Sequence, residues 1–550
     1  MHRDLRLLEK EVFDILIIGG GISGACIAHE AALRGLKVAL IEKEDFGHAT
    51  SAATSKLIHG GLRYLARLDF SVVRESLRER RYLEQILPHQ AFPLPFLLPV
   101  YDYFNTPRFL LSLGLTLYDL LSFDKNRLVD PSKHLPNKRW LSKHDALKLE
   151  PKLDPTGLQG AFLYYDVLNR HPERSNLDFV LTAAENGAVV ANYVAFEDFI
   201  TEEYHAKKRV RGVVARDVFE NKLFPIEAKV TVNAAGPWGD IVLSKLHKNP
   251  VRQLIRSKGI HLLFPRVHGD YAITFETRDR RHFFVIPWLN FTLLGTTDTP
   301  YRGDPDNVRV SEKDIAEFMD VVNAHIPLNL KRKDLLYAYV GLRPLLFEGT
   351  SDTYKASRKH EIVDHEKVEG VGGLFSVFGG KWTTSRALAE ETVNKIVARQ
   401  KWAVKKSASH KIPVSAGRIG PYYSEFVQKM HLKYDRAYGE KTVARMVEIY
   451  GAHGEKVLQL AEEQKNLSEI IDPESGLIRA EIHHAVKHEL AQTLNDFLFR
   501  RSGIANMGPV PRKTVEFVAA EMAKLLHWKS SRKKEEIARY EKTLYFPKSD

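Results

Sequence analysis

Residues 13–42 read FDILIIGGGISGACIAHEAALRGLKVALIE. Ile15, Leu16, Ile17 and Ile18 form a short apolar run stopped by glycines, the pattern of a buried strand. A helix is expected from Ser23 through about Arg34, then a second strand from Lys37 to Ile41 that ends at Glu42. Within this βαβ unit Gly19, Gly21 and Gly24 fit GxGxxG. Gly19 permits the tight turn, Gly21 lets a pyrophosphate approach the backbone, and Gly24 lets helix and strand pack closely. Glu42 follows Gly24 by 18 residues, where an acid can take a ribose hydroxyl. The helix N-terminus offers unpaired N–H groups and a positive dipole end to phosphates. Strand, helix, second strand and acid in register point to an adenine dinucleotide; the alternative is a merely glycine-rich turn.

Outward from that unit, residues 57–82 read as an arginine-rich helical stretch with Gly60, Gly61, Arg63 and Tyr64 near its start. Arg108–Ser122 reads as an amphipathic helix, because Ser112, Thr116 and Asp119 form a polar stripe among leucines. A core or cap helix is the favoured reading and a membrane-surface helix the alternative. Residues 130–156, rich in Pro, Lys and Asp, read as an exposed connection. A strand over 230–235 runs into Gly236, Pro237 and Trp238, and residues 282–297 bracket Asn290 as a hairpin. The run Leu374–Phe378 ends in Gly379, Gly380 and Lys381, and the helix after it closes an α/β body near residue 400. The expected domains are a body over 1–400, a linker over 401–420 and a helical unit over 421–550. Within the body, residues 11–90, 180–245 and 340–400 are assigned to dinucleotide binding, and 91–179 and 246–339 to the substrate side.

The chain has 550 residues, 44% apolar and 27% charged, which suits a globular enzyme and excludes a collagen-like or wholly disordered chain. Cys26 is the single cysteine, so no internal disulfide forms, a reducing compartment is expected, and no metal site is anticipated. Lys and Arg number 81 against 69 Asp and Glu, a net charge of +12 that favours anionic partners. Residues 401–550 hold 26 of those cations against 19 of the acids, so the surplus is concentrated there. Neither a signal peptide nor a transit peptide is read at the N-terminus, and the longest apolar stretch, near 109–118, falls short of the ~20 residues of a spanning helix.

Several segments carry a resemblance, SKLIHGGLRYL and FGGKWTT among them being far more specific than the glycine loop: IIGGGISGACIA from Ile17, TSAATSKLIHGGLRYL from Thr50, NAAGPWGD from Asn233 and SKGIHLLFPRVH from Ser257. With them go FFVIPW from Phe283, LGTTDTPYRGDP from Leu294, GLRPL from Gly341 and SVFGGKWTTSR from Ser376. Together they resemble the FAD-dependent, aerobic glycerol-3-phosphate dehydrogenase family, within the larger group that includes D-amino-acid oxidase. The resemblance implies an α/β fold: a Rossmann-type FAD-binding domain, an antiparallel-sheet substrate domain and a C-terminal helical domain. It implies that Gly19, Gly21, Ser23 and Gly24 hold the FAD pyrophosphate and Glu42 the adenosine ribose. Thr50, Ser51, Ser55, Lys56 and Leu57 would line the cofactor, with Gly236, Gly380 and Thr383 near it.

Around the flavin the resemblance sets Arg63, Tyr64, His261, Arg343, Arg358 and Lys381, five of which can be cationic, as a doubly charged phosphate ester requires. His261 is the first candidate base, Lys381 or Arg343 would stabilise the alkoxide, and Arg63 and Arg358 would grip the phosphate. The family implies oxidation of sn-glycerol 3-phosphate to dihydroxyacetone phosphate and electron transfer to a membrane quinone. The implied setting is cytoplasmic, on the anionic inner surface of the cell membrane; the oligomeric state stays open, a homodimer included. The family's oxygen-using oxidase branch carries a central insertion that is not evident here. The other readings are an FAD oxidase of an amine or hydroxy acid and, from another class, a nucleic-acid-binding flavoprotein. Interleaved glutamates in SSRKKEEIARYEK from Ser530, and the lack of an RNA-binding motif, argue against nucleic acid as a partner. One departure from the family pattern is VLNRHPERSN from Val167, where Asn169, Arg170 and His171 are expected to make one wall of the site more basic, with Arg174 standing in for a shifted family arginine.

Overall fold

Gly24 has no room for a side chain: a Cβ there would lie 1.8 Å from the Gly19 carbonyl oxygen, so helix Ile22–Leu33 lies directly against the strand before it. The computed structural model describes residues 1–546 apart from 105, 205–206, 247–252, 278–280 and 347–358, and omits the side chains of Arg63, Ala66, Arg67 and Tyr204. Strand Val12–Ile18 pairs in parallel with Val38–Glu42 on one side and Lys222–Asn233 on the other. Val189–Asn192 and Leu374–Phe378 extend this sheet in parallel at either end, and Glu361–Asp364 and a hairpin from 194 to 217 add antiparallel strands. The paired centres of these strands, Ile15–Ile18 and Val38–Ile41, are apolar and buried, as strands covered on both faces must be. Helices Ile22–Leu33, Pro172–Glu185 and Ser385–Gln400 share one hydrophobic core with them. The strand ends at Ile18, Glu42, Asn233 and Phe378 all open toward the same side of the sheet, where ligands of such folds bind.

A second, ten-stranded sheet faces that opening. Strand Leu254–Pro265 runs antiparallel to Tyr337–Leu346 and to Phe291–Gly295. This register seats His261 between Tyr339 and Gly295 and puts Arg343 opposite Ser257. The hairpin expected around Asn290 is present as His282–Trp288 with Phe291–Gly295. Beyond it, helices Tyr423–Tyr438, Gly454–Glu463, Arg479–His488, Arg512–Leu525 and Ser530–Thr543 build the C-terminal helical domain around two apolar cores.

Three expectations need correction. Residues 130–156 are not a loose connection: Arg139–Ser142 is a strand on Leu158–Asn169, and helix Lys143–Leu149 buries Ala146 with Leu141 and Leu153 in the second sheet's core. The segment from 407 to 420 is a fastened strap, with the Val414 N–H bonded to Ile86 O (3.1 Å) and the Ser415 N–H to Thr182 Oγ1 (2.9 Å). The helix expected from 57 begins only at Phe70; Leu57–Ile58 is a short strand on 167–168, followed by a 3-10 turn over Leu62–Arg67.

Candidate functional site

The opening between the two sheets is a cavity of about 780 Å³. Its glycine-loop end is formed by Gly19, Gly21, Ser23, Glu42 and Ser51. Gly21 caps helix Ile22–Leu33 without a side-chain acceptor, and the Ile22 N–H finds Ser51 Oγ at 2.8 Å. Glu42 accepts from the backbone N–H of Gly20 (2.7 Å) and of Glu44 (3.0 Å), which fixes its carboxylate at the rim. A helix N-terminus whose N-cap is a glycine and whose first turn is free of acids, beside a pinned carboxylate, fits a dinucleotide's pyrophosphate and ribose. Gly24 sits behind this surface and sets the packing rather than the lining.

Farther in, Thr50, Ser55, Leu57, Gly236, Gly380 and Thr383 line the same space. Thr50 donates to Leu342 O (2.7 Å), and Thr383 Oγ1 accepts from the His59 N–H (3.3 Å), so both anchor cavity loops to neighbouring strands. Lys56 is the exception. Its side chain points away from the cavity, 3.5 Å from Glu173 Oε2 and 4.3 Å from the centre of the Trp288 ring. Its φ of +55° turns the chain there, so Ser55 and Leu57 face the cavity while the ammonium is buried behind them. Burial pulls the Lys56 pKa down, against the opposing pull of Glu173.

Tyr64, His261, Arg343 and Lys381 also line the cavity. The His261 ring lies flat on Tyr339, 4.9 Å between centres, and its Nε2 is 2.9 Å from Ser55 Oγ. The Tyr339 hydroxyl donates to Thr54 O (2.7 Å), which ties the stacking ring to the Ser55 loop. Gly295 makes the arrangement sterically feasible, since a Cβ there would be 2.0 Å from His261 Cδ2. Burial, then the charges of Arg343 and Lys56, hold the His261 pKa well below the ordinary value, so the imidazole is neutral and can accept a proton. Arg343 donates to Thr296 Oγ1 (2.7 Å), Thr297 O (3.1 Å) and Ser257 Oγ (3.2 Å). Lys381 Nζ sits 3.9 Å above the Tyr64 ring and donates to Ser76 Oγ (3.0 Å). Arg358, and the side chain of Arg63, lie outside the described residues.

The wall expected to be made basic by Asn169, Arg170 and His171 is not part of the cavity; from that neighbourhood Asp166 lines it. Arg170 covers Phe92, His171 meets Glu448 (3.0 Å), and Arg174 makes a buried two-pronged pair with Glu489 (2.5 and 2.7 Å). Helix Pro172–Glu185 turns these polar groups toward the C-terminal domain, so the departure in sequence marks a domain interface. Sequence reasoning also passed over Tyr339, although strand alternation puts Tyr339, Gly341 and Arg343 on one face, the signal that could have found it.

Residues 14–395 match the family described as FAD dependent oxidoreductase, and residues 407–533 the C-terminal domain of alpha-glycerophosphate oxidase. A glycerol-3-phosphate dehydrogenase of Synechocystis is 33% identical over 92% of this chain and 91% of its own length. The human mitochondrial glycerol-3-phosphate dehydrogenase is 33% identical over 98% of this chain and 74% of its own. The crystal structure of the glycerol-3-phosphate dehydrogenase of Bacillus halodurans, complexed with FAD, is 27% identical and superposes with a TM-score of 0.78 over 98% of this chain and 95% of that one. The chain therefore belongs to the FAD-dependent glycerol-3-phosphate dehydrogenase family, with FAD as its cofactor.

Proposed function

We propose that the protein oxidises sn-glycerol 3-phosphate to dihydroxyacetone phosphate and hands the two electrons to a membrane quinone, in glycerol catabolism. The observation that carries this reading is His261, stacked on Tyr339, in one cavity with Arg343 and Lys381. When bound, FAD supplies a ring that accepts a hydride from the substrate carbon. His261 takes the hydroxyl proton, its ring held by the contact of Nε2 with Ser55 Oγ and by the stack on Tyr339. Arg343 and Lys381 face the developing alkoxide and are themselves held by hydroxyl partners, so they need little reorganisation as negative charge appears. Arg63 and Arg358 are assigned the phosphate, whose grip orients the carbinol carbon at a distance.

Two further features support a lipid-soluble acceptor. Leu57, Leu62, Phe96, Leu98, Leu111 and Phe284 form an apolar arm of the cavity, and Leu111 lies on helix Arg108–Leu121. That helix buries only Leu115 and Tyr118, while Phe109 (68% exposed), Leu113 (62%) and Leu120 (65%), with neighbouring Phe123 (67%), face outward. Exposed Arg108 and Arg127 flank this face, a combination that suits the interface of an anionic bilayer on the cytoplasmic side. Among the described residues no helix is long and apolar enough to cross a membrane.

Anaerobic mixing of the FAD-loaded protein with sn-glycerol 3-phosphate tests the substrate. Rapid bleaching of the oxidised flavin is expected, and a fully loaded protein that stays yellow rejects the reading. Reoxidation by a quinone, compared with oxygen, then separates dehydrogenase from oxidase.

A further inference from the structure

Loop 59–61 carries Gly60 into contact with a polar knot that the reaction above does not use. The Gly60 N–H donates to Tyr118 Oη (2.9 Å) and more weakly to Asp166 Oδ1 (3.3 Å). The Tyr118 hydroxyl donates to Asp166 Oδ2 (2.8 Å), and Arg80 Nη1 donates to Asp166 Oδ1 (2.5 Å). Tyr118, Asp166 and Arg80 are each at least 97% buried. The fit leaves no slack, because a Cβ on Gly60 would fall 2.4 Å from both Tyr118 Oη and Leu77 Cδ2. Immediately after Gly60, Gly61 adopts φ +76°, and a Cβ there would lie 2.5 Å from the Tyr64 ring, the ring that carries Lys381. The knot therefore sets where Tyr64 and Lys381 stand.

Tyr118 belongs to helix Arg108–Leu121, whose inner side is held by buried Leu115 and Tyr118, by Leu111, Leu117 and Leu121 packed beside them, and by hydrogen bonds from Lys138 to Ser112 and Asp119 and from Arg74 to Leu121 O, while its other side is presented outward. We infer that Tyr118 is a positioning residue: it transmits the seating of this helix to loop 59–64, so that docking on a bilayer steadies the substrate-facing Tyr64 and Lys381. The coupling to a membrane rests on the docking face assigned under the proposed function; the hold on Gly60 does not.

The test uses the FAD-loaded full chain and Tyr118→Phe, which removes the hydroxyl and leaves the Arg80–Asp166 pair. Without vesicles, KM for sn-glycerol 3-phosphate is expected to rise about tenfold with kcat within about twofold; an unchanged KM with intact flavin overturns the inference. With phosphatidylglycerol–phosphatidylcholine vesicles, the wild type is expected to sediment with them and to lower its KM severalfold, while the variant sediments equally and does not respond. Wild type that binds vesicles without a change in KM overturns the coupling. Wild type that fails to sediment overturns the docking face, and the vesicle-free KM then judges the hold on Gly60 by itself. Should the variant not fold, hydrogen exchange on the wild type decides: a slow Gly60 amide that slows further on vesicles is expected, and a fast one overturns the inference.

Discussion

At the scale of single residues, His261 is the group on which the chemistry turns. Its depressed pKa means that acid must go well below pH 6.5 before the base is lost. The rate of flavin reduction at saturating substrate should therefore stay flat from neutral pH down past 6.5; a midpoint at or above that value contradicts the assignment. His261→Asn should lower that rate by about 10²–10³-fold with KM little changed, read by stopped-flow absorbance on protein of equal flavin content. Of this site, the sequence motifs made His261, Arg343 and Lys381 legible as candidates. They could not show that Tyr339 stacks on His261, or that Gly295 makes space for it, because both depend on the pairing of strands far apart in the chain. Lys56 was misread for a related reason: it takes the face opposite Ser55 and Leu57, toward Glu173 and Trp288, partners far away in the chain.

At the scale of elements, helix Ile22–Leu33 carries a histidine that the glycine loop does not need. His29 is buried against Phe179, neither ring nitrogen has a hydrogen-bond partner among the described residues, and burial takes its pKa down to about 3. Unfolded, the same ring titrates near 6.5, so from 6.5 downward the unfolded chain binds a proton that the fold refuses, and stability falls as pH falls. His268, also at about 3, adds to the same trend. His29→Leu should lose about 3 kcal/mol less than wild type between neutral pH and about pH 4, seen as a smaller drop in melting temperature. An unaltered drop would show that His29 does not titrate on unfolding. Elements with a single strong period, such as residues 13–42 and 374–400, were readable; those around 139–149 were not, because they lie within a stretch, 130–156, in which Lys, Pro and Asp outnumber the few residues that reach the core. The strap at 414–417 was unreadable because a single core valine, Val414, and a few bonds from its backbone N–H groups fasten it, too short a signal to show a period.

At the scale of the molecule, the body and the helical domain are joined by buried charge. Asp45, three residues beyond Glu42, accepts from Arg501 (2.6 and 2.9 Å) and Arg500 (2.5 Å), and from Asn192 (2.9 Å). Burial alone would raise the Asp45 pKa; the two guanidinium groups outweigh it and hold the carboxyl far below its usual range. Arg501→Met leaves Asp45 to Arg500, and should cost about 3 kcal/mol in stability, because a buried charge loses a partner. It should also speed FAD loss on dialysis, measured by released flavin fluorescence; a variant that keeps both its melting temperature and its flavin would show the two domains to be energetically independent. None of this was legible in the linear sequence, where residues 401–550 showed only a concentration of the cation surplus.

The same clasp carries a consequence for biogenesis. A ribosome makes the turn beside Glu42 early and the arginines that lock it late, so a nascent chain has its nucleotide fingerprint long before the fastener arrives. Colour should therefore come with completion: chains stopped short of residue 500 ought to emerge pale, even though every glycine of the loop is already in place.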